Sequence, residues 1–398
     1  MPDCTQPRTE RRRFIQTSAA AGGLLLLKPR TVFGTQANSA LELGIIGYGG
    51  RGSWICDLFT EFTTTRVVAA ADPFQGRLEE ARVKLKLDAS RLYGGLDGFR
   101  DLVASNLDAV AIESPPYFHP EQAEAAVSAG KHVYLAKPTA VDVWGCRSIL
   151  ASGGKTKGKL SFLVDFQSRA SSAFQEAVSR VHSGAIGSPV LGHIFYHTSR
   201  LNRKDTPGMT PAQARLSNWV FDKTLSGDII VEQNIHVLDV GNWYLRSHPL
   251  KACGTGGRRA RVDVGDCWDH FVVTYWYPND VRVDFSSAQF IKGFHDMCMR
   301  VYGTAGTVEA HYGGAVKITG DNPWLGTDKD DTGRLGTIAN IRSFVESIRT
   351  RKYLNNASES VDSNLTAVLG RMAAYGDRVV TWDEMLRSNE RLDAKLKL

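Results

Sequence analysis

The amino-acid sequence predicts an α/β domain with a doubly wound parallel sheet, followed by an α+β domain with a large, mostly antiparallel sheet. Short apolar runs rich in β-branched residues alternate with helical stretches over residues 40–164, which is typical of a parallel sheet with crossover helices. Over residues 165–335 the strand-like runs alternate apolar and polar side chains, as in a half-exposed antiparallel sheet. Helices predicted over residues 336–398 would pack back on both domains.

Residues 1–39 have the three parts of an export signal: a basic run, a short apolar run and a tail of small residues. The apolar run, residues 19–27, is far shorter than the roughly 20 residues that cross a bilayer as a helix. Residues 11–16 resemble a twin-arginine (Tat) signal, with Ile15 and Gln16 in place of Leu and Lys and Glu10 in place of Ser or Thr. This resemblance implies a periplasmic or otherwise exported protein that folds before export. The alternative is a basic, disordered tail.

Charge and cysteine content exclude several classes of function. The formal net charge is +6, but residues 1–39 carry six basic and two acidic side chains, which leaves about +2 on the rest of the chain. No Lys/Arg run with interleaved aromatic residues remains, so nucleic-acid binding is not expected. The six cysteines form no CxxC pair and no His/Cys cluster with metal spacing, so neither a metal site nor a disulfide framework is predicted. No other run is long enough for stable membrane insertion.

A glycine-rich turn follows the first predicted strand, residues 41–46. It reads G-x-G-x-x-G, and its members are Gly47, Tyr48, Gly49, Gly50, Arg51 and Gly52. The glycines permit a tight turn and close approach of the backbone to a pyrophosphate, while the next helix offers free N–H groups to phosphate. The motif behind a buried strand therefore predicts a dinucleotide site of the Rossmann type.

Asp72 ends the second predicted strand and follows Gly52 by twenty residues. An acidic side chain there accepts hydrogen bonds from the adenosine ribose and repels a 2′-phosphate, which favours NAD over NADP. Arg77 lies close enough in sequence to soften that preference, so NADP remains possible. The alternative is that Asp72 merely caps the following turn.

Strand and helix signals keep alternating up to residue 164, and ligands of such sheets bind at the carboxyl ends of the strands. The predicted elements are helix 76–87, strand 109–112, helix 120–129, strand 132–135, helix 142–151 and strand 160–164. Two turns at strand ends are therefore candidate parts of the site. They contain Ser114, Pro115, Pro116, Tyr117 and His119 in the first turn and Lys137 in the second.

These two turns, spaced this way behind a dinucleotide motif, resemble the Gfo/Idh/MocA family (glucose-fructose oxidoreductase, inositol dehydrogenase and MocA). The family pattern T-P-P-x-x-H is matched by Pro115, Pro116 and His119, and A-G-K-H-V by residues 129–133. The pattern E-K-P is matched at residues 136–138, where Ala replaces the usual Glu. The resemblance covers nearly the whole chain beyond residue 39.

A later family pattern, D-x-G-x-H-x-x-D, is matched at residues 232–239. Glu232 and Asn234 replace the usual Asp and Gly, whereas His236 and Asp239 are retained. Residues 232 and 236 are four apart, so one helix would place both side chains on the same face.

The resemblance implies an NAD(P)-dependent oxidoreductase with Lys137, Glu232 and His236 as catalytic residues. Hydride transfer from a secondary alcohol requires a group that takes the hydroxyl proton and a donor that steadies the alkoxide. Lys137 would polarise the reacting oxygen, His236 would accept the proton, and Glu232 would orient His236 or bind a neighbouring hydroxyl. Tyr117 and His119 would line the nicotinamide pocket. The alternatives are an exposed turn lysine, a core histidine, a helix-surface glutamate and ordinary loop packing.

Strands predicted at residues 190–197, 269–277 and 281–288 belong to the second domain. Family members use such a sheet to cover the cofactor and often to pair subunits, so a homo-oligomer is expected. Residues 326–333 are predicted as a loop, with helices at 338–349 and 363–375. Candidate sugar-binding side chains are Arg169, Arg200, Asn202, Trp219 and Lys223, and Asp239 is either structural or close to the substrate.

Three functions fit these features. The first is an exported oxidoreductase that acts on a carbohydrate or cyclitol hydroxyl with tightly bound NAD, regenerated by a second substrate. The second is a glycoside hydrolase that oxidises a sugar transiently and restores NAD without net redox, since the turn at residues 49–52 resembles the corresponding turn of such enzymes. The third is a non-catalytic sugar-binding protein with a vestigial dinucleotide fold, which the retained Lys137 and His236 argue against.

Overall fold

The computed structural model describes residues 40–328 and 331–397, so the predicted export signal lies outside the described residues. The first half contains a parallel sheet of six strands: β1 Leu41–Ile46, β2 Thr65–Asp72, β3 Leu92–Gly94, β4 Ala109–Ile112, β5 His132–Ala136 and β6 Phe162–Asp165. Their order across the sheet is β3-β2-β1-β4-β5-β6. The order therefore reverses at β1, and a crevice for a ligand forms at the carboxyl ends of the strands there.

Helices cover both faces of this sheet: α1 Gly50–Phe62, α2 Gln75–Leu85, α3 Gly98–Ala104, α4 His119–Ser128 and α5 Val143–Lys155. Every residue of β4 is buried, as expected for a parallel strand covered on both sides. On one face Ile45 packs with Phe59 of α1, and on the other Ile112 packs with Val143 of α5. The doubly wound parallel sheet predicted from the sequence is thus confirmed.

The second half contains a nine-stranded sheet: β7 Pro189–Thr198, β8 Lys251–Gly257, β9 His270–Trp276, β10 Arg282–Gln289, β11 Asp296–Gly303, β12 Gly306–His311, β13 Val316–Gly320, β14 Trp324–Thr327 and β15 Val380–Thr381. Their order is β14-β13-β12-β11-β7-β10-β9-β8-β15. Strands β7 and β10 pair in parallel, whereas the other described pairs are antiparallel. The expectation of a large, mostly antiparallel sheet is confirmed.

Nine helices in the described part of this half complete the fold: α6 Gln167–Ala170, α7 Ser172–His182, α8 Pro211–Ser217, α9 Lys223–Ser226, α10 Ile229–Glu232, α11 Ile235–Leu245, α12 Thr337–Arg349, α13 Ala357–Gly376 and α14 Trp382–Ser388. Helix α11 packs on β7 and β11, and α13 packs on β8 and β9. Helix α12 packs against α1 beside the parallel sheet.

Two local expectations were wrong. Glu232 and His236 do not share one helix, because α10 ends at Glu232 and α11 begins at Ile235. Residues 326–333 are not all loop either, since Gly326 lies in β14 and a π-helical turn begins at Thr332. Elsewhere the predicted elements exist, with ends shifted by a few residues. Over the two described ranges, no helix combines the length and the apolarity needed to cross a membrane.

Candidate active site

The glycine turn between β1 and α1 leaves no room for side chains at two of its positions. Gly47 has φ +89°, and a Cβ there would lie 2.7 Å from the backbone nitrogen of Ser114. A Cβ at Gly52 would lie 2.0 Å from the carbonyl oxygen of Gly47. Helix α1 therefore begins in contact with the turn, and its free N–H groups face the crevice where phosphate groups bind.

An open cleft with about 880 Å³ of empty space runs past this turn. Nine of the residues predicted to bind the cofactor line it: Gly47, Gly49, Gly50, Arg51, Gly52, Asp72, Arg77, Ser114 and Pro115. Five others do not: Tyr48, Pro116, Tyr117, His119 and Lys137. Tyr48 instead has its side chain in the core beneath the turn.

Asp72 fastens the glycine turn to the end of β2. Its carboxylate accepts hydrogen bonds from the backbone N–H of Tyr48 at 2.8 Å and of Phe74 at 2.9 Å. Burial raises the pKa of Asp72, while the guanidinium of Arg77, 3.6 Å away, opposes that rise. The carboxylate thus shapes the turn and caps the next one, as the alternative interpretation expected, and it also lies on the cleft wall where ribose recognition is predicted.

Residues from distant parts of the chain form the outer wall of this cleft, and we call this wall the roof. Lys204, Leu216, Ser217 and Trp219 line its outer wall, and Leu216 and Trp219 join an apolar cluster that includes Ala394 near the C-terminus. The predicted sugar-binding residue Trp219 therefore lies at the dinucleotide cleft.

Hydrogen bonds between its backbone and nearby side chains hold the C-terminal tail, residues 390–397, in place beside this roof. The N–H of Leu392 donates to Asp142 at 2.6 Å, and the N–H of Ala394 donates to the hydroxyl of Tyr117 at 3.3 Å. Arg215 of α8 donates to the carbonyl of Ala394 at 2.6 Å. Tyr117 thus contacts the tail and does not itself line the cleft.

Lys137 follows β5 directly and is buried against the end of α10. Its Nζ lies 2.6 Å from the carbonyl oxygen of Glu232 and 3.3 Å from Glu232 Oε1. Burial lowers the pKa of Lys137, and the Glu232 carboxylate opposes that effect. The predicted lysine and glutamate are therefore brought together, although Glu232 contacts Lys137 rather than orienting His236.

His236 lies in the first turn of α11, with its ring centroid 4.9 Å from that of Tyr312. Burial lowers the pKa of His236 well below its usual value, and the positive charges of Lys137 and Arg51 lower it further. The imidazole is therefore neutral at neutral pH and carries a lone pair that can accept a proton. Tyr312 in turn donates its hydroxyl to Gln167 at 3.2 Å.

Asp239 and Arg169, both predicted near the substrate, bind each other. Arg169 donates to the two carboxylate oxygens of Asp239 at 2.8–3.0 Å, and Ser363 donates a further bond at 2.7 Å. The Asp239 side chain is completely buried. These contacts occupy both oxygens of the carboxylate, so the structure favours the structural role for Asp239.

Other predicted residues have positions that suggest support of the fold. The ring nitrogens of His119 lie 2.8 Å from the carbonyl oxygens of Pro138 and Ser114, so this histidine joins the two candidate turns. Burial lowers the pKa of His119 to about 4. The ammonium of Lys223 lies over the ring of Tyr375, and Arg200 forms an ion pair with Asp263.

Two acidic residues of the site were missed from the sequence. Glu113 directly follows β4 and Asp165 ends β6, and both bind Arg51. Their positions at the carboxyl ends of predicted strands could have identified them from the sequence as candidate site residues. Tyr312 had no such signal, because it reaches His236 from the hairpin after β12 and only the folded chain brings the two rings together.

The residues of the cleft fit a dinucleotide. The turn is so close that a Cβ at Gly47 or Gly52 would strike backbone, the N-terminus of α1 faces the cleft, and the cleft crosses the point where the strand order reverses. These features bind a pyrophosphate and the two nucleosides on either side of it. With Lys137 and His236 beside this cleft, fold and site define an NAD-dependent oxidoreductase that acts on alcohol groups.

Comparison with known proteins identifies the family. Residues 41–163 match the model described as "Oxidoreductase family, NAD-binding Rossmann fold", and residues 174–309 match the "GFO/IDH/MocA C-terminal domain". The chain belongs to the Gfo/Idh/MocA family, as its motifs predict. An inositol 2-dehydrogenase of Acidothermus cellulolyticus is 25% identical over 270 residues, which cover 68% of this chain and 72% of that protein.

Solved structures share the fold. The aldose-aldose oxidoreductase of Caulobacter crescentus superposes with a TM-score of 0.71 at 19% identity, over 86% of this chain and 100% of the other. The scyllo-inositol dehydrogenase of Lactobacillus casei, solved with NAD(H) and scyllo-inositol, gives a TM-score of 0.69 at 19% identity, over 87% of this chain and 100% of the other.

Proposed function

We propose that the protein transfers hydride between tightly bound NAD and a secondary hydroxyl or carbonyl group of a sugar, a sugar derivative or a cyclitol. The observation that carries the proposal is the buried Lys137, held by Glu232 near the neutral imidazole of His236 at the carboxyl edge of the dinucleotide-binding sheet. The inositol and aldose named for similar proteins support a polyhydroxylated substrate.

Bound NAD would supply the hydride acceptor. The side chains would stabilise the charge on the reacting oxygen and accept the hydroxyl proton. Lys137 Nζ donates to the reacting oxygen and stabilises its negative charge. Burial lowers the pKa of Lys137, and the nearby carboxylate of Glu232 opposes that effect and favours the charged form of the lysine. His236 accepts the hydroxyl proton, because its lowered pKa leaves it unprotonated.

We also propose that NAD is preferred to NADP. The support is the Asp72 carboxylate on the cleft wall, whose negative charge opposes a 2′-phosphate. Arg77, beside it, is the group that would relax this preference. Binding titrations with both cofactors test the proposal, which fails if NADP binds as tightly as NAD.

The central experiment begins with the purified chain and asks which cofactor is released on denaturation. The protein is then incubated with inositols, aldoses and aryl glycosides. Formation of NADH, or reduction of a second sugar, supports the proposal. Cleavage of a glycoside without NADH would instead establish the hydrolase that oxidises its substrate transiently, and sugar binding without turnover would establish the non-catalytic alternative.

Export by the twin-arginine route remains part of the proposal, with the cofactor loaded before export and retained afterwards. The roof of the cleft supports retention, because Trp219 and the C-terminal tail cover its outer wall. Replacing both Arg11 and Arg12 by Lys should leave the protein in the cytoplasm, measured by cell fractionation. Unchanged export would contradict this assignment of the signal.

A homo-oligomer is likewise proposed. The outer face of the nine-stranded sheet carries Val272 of β9, which is 54% exposed, and the partly exposed Phe195 of β7, with Ser286 of β10 between them. These two exposed apolar side chains on a sheet face are suited to contact with a second copy. Light scattering of the wild type and of Val272→Glu tests this, and a wild-type monomer would refute it.

A further inference from the structure

Two buried carboxylates and one partly exposed guanidinium form a cluster beneath the crevice, and the catalytic roles assigned above do not use the two carboxylates. Arg51 of α1 reaches across the carboxyl edge of the parallel sheet, where its Nε lies 3.0 Å from Glu113 Oε2 and its Nη2 binds Asp165. Asn340 of α12 donates to the other oxygen of Asp165 at 2.8 Å. We call Arg51, Glu113 and Asp165 the acidic cluster.

The cluster lies under one particular half of the crevice. Asp72 and Arg77 mark the β1–β3 half as the adenosine side, because the acidic residue after the second strand faces the adenosine ribose. Glu113 follows β4 and Asp165 ends β6, while Lys137 follows β5 between them. The acidic cluster therefore belongs to the half that receives the nicotinamide nucleoside.

The charges of the cluster do not balance. Two carboxylates bind one guanidinium, and the nearby Lys137 is paired with Glu232, so one negative charge is in excess. Both carboxylate side chains are completely buried, whereas Arg51 is 34% exposed. Glu113 Oε1 has no hydrogen-bond partner within the described ranges. Burying an acid in this way costs stability, so packing alone does not account for it. The surplus negative charge suits a cation in the crevice, and the nicotinamide ring is a cation only in its oxidised form.

We propose that the acidic cluster makes the site bind NAD⁺ in preference to NADH, and so lowers the reduction potential of the bound cofactor. When NAD⁺ takes a hydride, two electrons and one proton enter the ring and its positive charge disappears. The attraction to the cluster disappears with it, so return of the hydride to a carbonyl is favoured. This inference rests on the NAD-dependent function proposed above, and it suits an enzyme that must regenerate its cofactor without releasing it.

Protonation of Glu113 gives the proposal a pH signature. The pKa of Glu113 is raised to about 7, mainly by burial; Asp165 also raises it, and Arg51 and Lys137 lower it. The other titratable groups that face it are Cys56 of α1 and Tyr134 of β5, and burial raises the pKa of both, so they stay neutral. Above pH 7 the cluster carries its surplus negative charge, and below pH 7 it is nearly neutral. The preference for NAD⁺ should therefore increase as the pH rises through 7.

The test measures which form of the cofactor the protein retains. The full chain is equilibrated with equal concentrations of NAD⁺ and NADH, free cofactor is removed by gel filtration, and the bound forms are quantified after denaturation. At pH 8 the ratio of bound NAD⁺ to bound NADH should fall about tenfold in Asp165→Asn and in Glu113→Gln, as expected for one charge at short range in a partly buried site. Asp57→Asn, which removes an exposed carboxylate from the same helix, should leave the ratio unchanged.

Measuring the same ratio at several pH values separates this inference from a general change in the site. The wild-type ratio should rise between pH 6 and pH 8, and in Glu113→Gln it should be flat. Equal ratios in the wild type and in a correctly folded Asp165→Asn variant, or a wild-type ratio without pH dependence, would overturn the inference. If the wild type retains neither form, the assignment of NAD as cofactor is refuted instead. Circular dichroism identifies a variant that does not fold.

Discussion

Two ion pairs at the site lie in different environments, and the environment of each pair indicates its role. Lys137 and Glu232 lie beside the cleft, where the lysine can exchange its contact with Glu232 for one with a substrate oxygen. Arg169 and Asp239 are bound to each other, and Ser363 completes the carboxylate's contacts. We propose the first pair for the chemistry, whereas the second joins helices on which the site is built.

Lys137→Ala should lower kcat at least about a hundredfold, because the donor that stabilises the alkoxide is removed. Bound NAD should remain, since Lys137 does not line the cofactor cleft. Turnover and cofactor content of the purified variant check this. The matched control is Lys155→Ala, which removes an exposed lysine paired with Glu124 and should have no effect. Unchanged turnover in Lys137→Ala would remove this lysine from the catalytic set.

Asp239→Ala should lower the free energy of unfolding by about 3 kcal/mol, because it leaves Arg169 without its buried partner. Denaturant unfolding measures the effect. Glu124→Ala breaks an exposed ion pair instead and should change the stability by less than about 1 kcal/mol. A raised KM with unchanged stability would show that Asp239 binds substrate after all.

We expect cofactor binding to depend on the contact between the glycine turn and α1. The first turn of the helix lies against the carbonyl of Gly47, and Asp72 holds the turn from the other side. This arrangement allows the helix N-terminus to approach a phosphate closely. Any side chain that separates the turn from α1 should therefore weaken binding without removing a single contact to the ligand.

Gly52→Ala provides the test of this element. The added Cβ would lie 2.0 Å from a backbone oxygen, so α1 must shift and the affinity for NAD should fall at least about tenfold. Gly154→Ala, in α5, meets nothing within 4 Å and should bind NAD as the wild type does. Titration with NAD compares the two, and equal affinities would mean that the turn does not limit binding.

For the molecule as a whole, the cleft combines parts that are far apart in the chain. The turn after β1 forms its floor, the segment around α8 forms its outer wall, and the last residues cover that wall. The tail packs on two side chains of that wall, Leu216 and Trp219, and so supports it. We therefore expect the roof to affect the rate of cofactor dissociation more than the rate of catalysis.

Removal of residues 391–398 should increase the dissociation rate of NAD about tenfold, because Ala394 and Leu396 leave the apolar cluster at the roof. Removal of residues 397–398 alone keeps those side chains and serves as the control. Exchange of bound NAD against labelled NAD measures the rates. If the longer deletion releases NAD no faster than the shorter one, the tail does not retain the cofactor.

The sequence by itself determined the parallel sheet, the antiparallel sheet, the glycine turn and the candidate lysine, since local patterns encode all of them. Period-two alternation marks strands and period-3.6 alternation marks helices. A position where two backbone segments are in close contact is occupied by glycine, which the sequence shows directly. It did not determine the break between Glu232 and His236, because spacing alone does not reveal where a helix stops.

Only the tertiary structure decided what each polar side chain contacts. It paired Arg169 with Asp239, placed Trp219 at the dinucleotide cleft, and brought Glu113 and Asp165 to one guanidinium. Such contacts join residues from different strands and helices, and no local pattern encodes a partner 50 or more residues away. The physical reason is that burial and charge neighbours, which set each group's protonation and availability, exist only once the chain has folded.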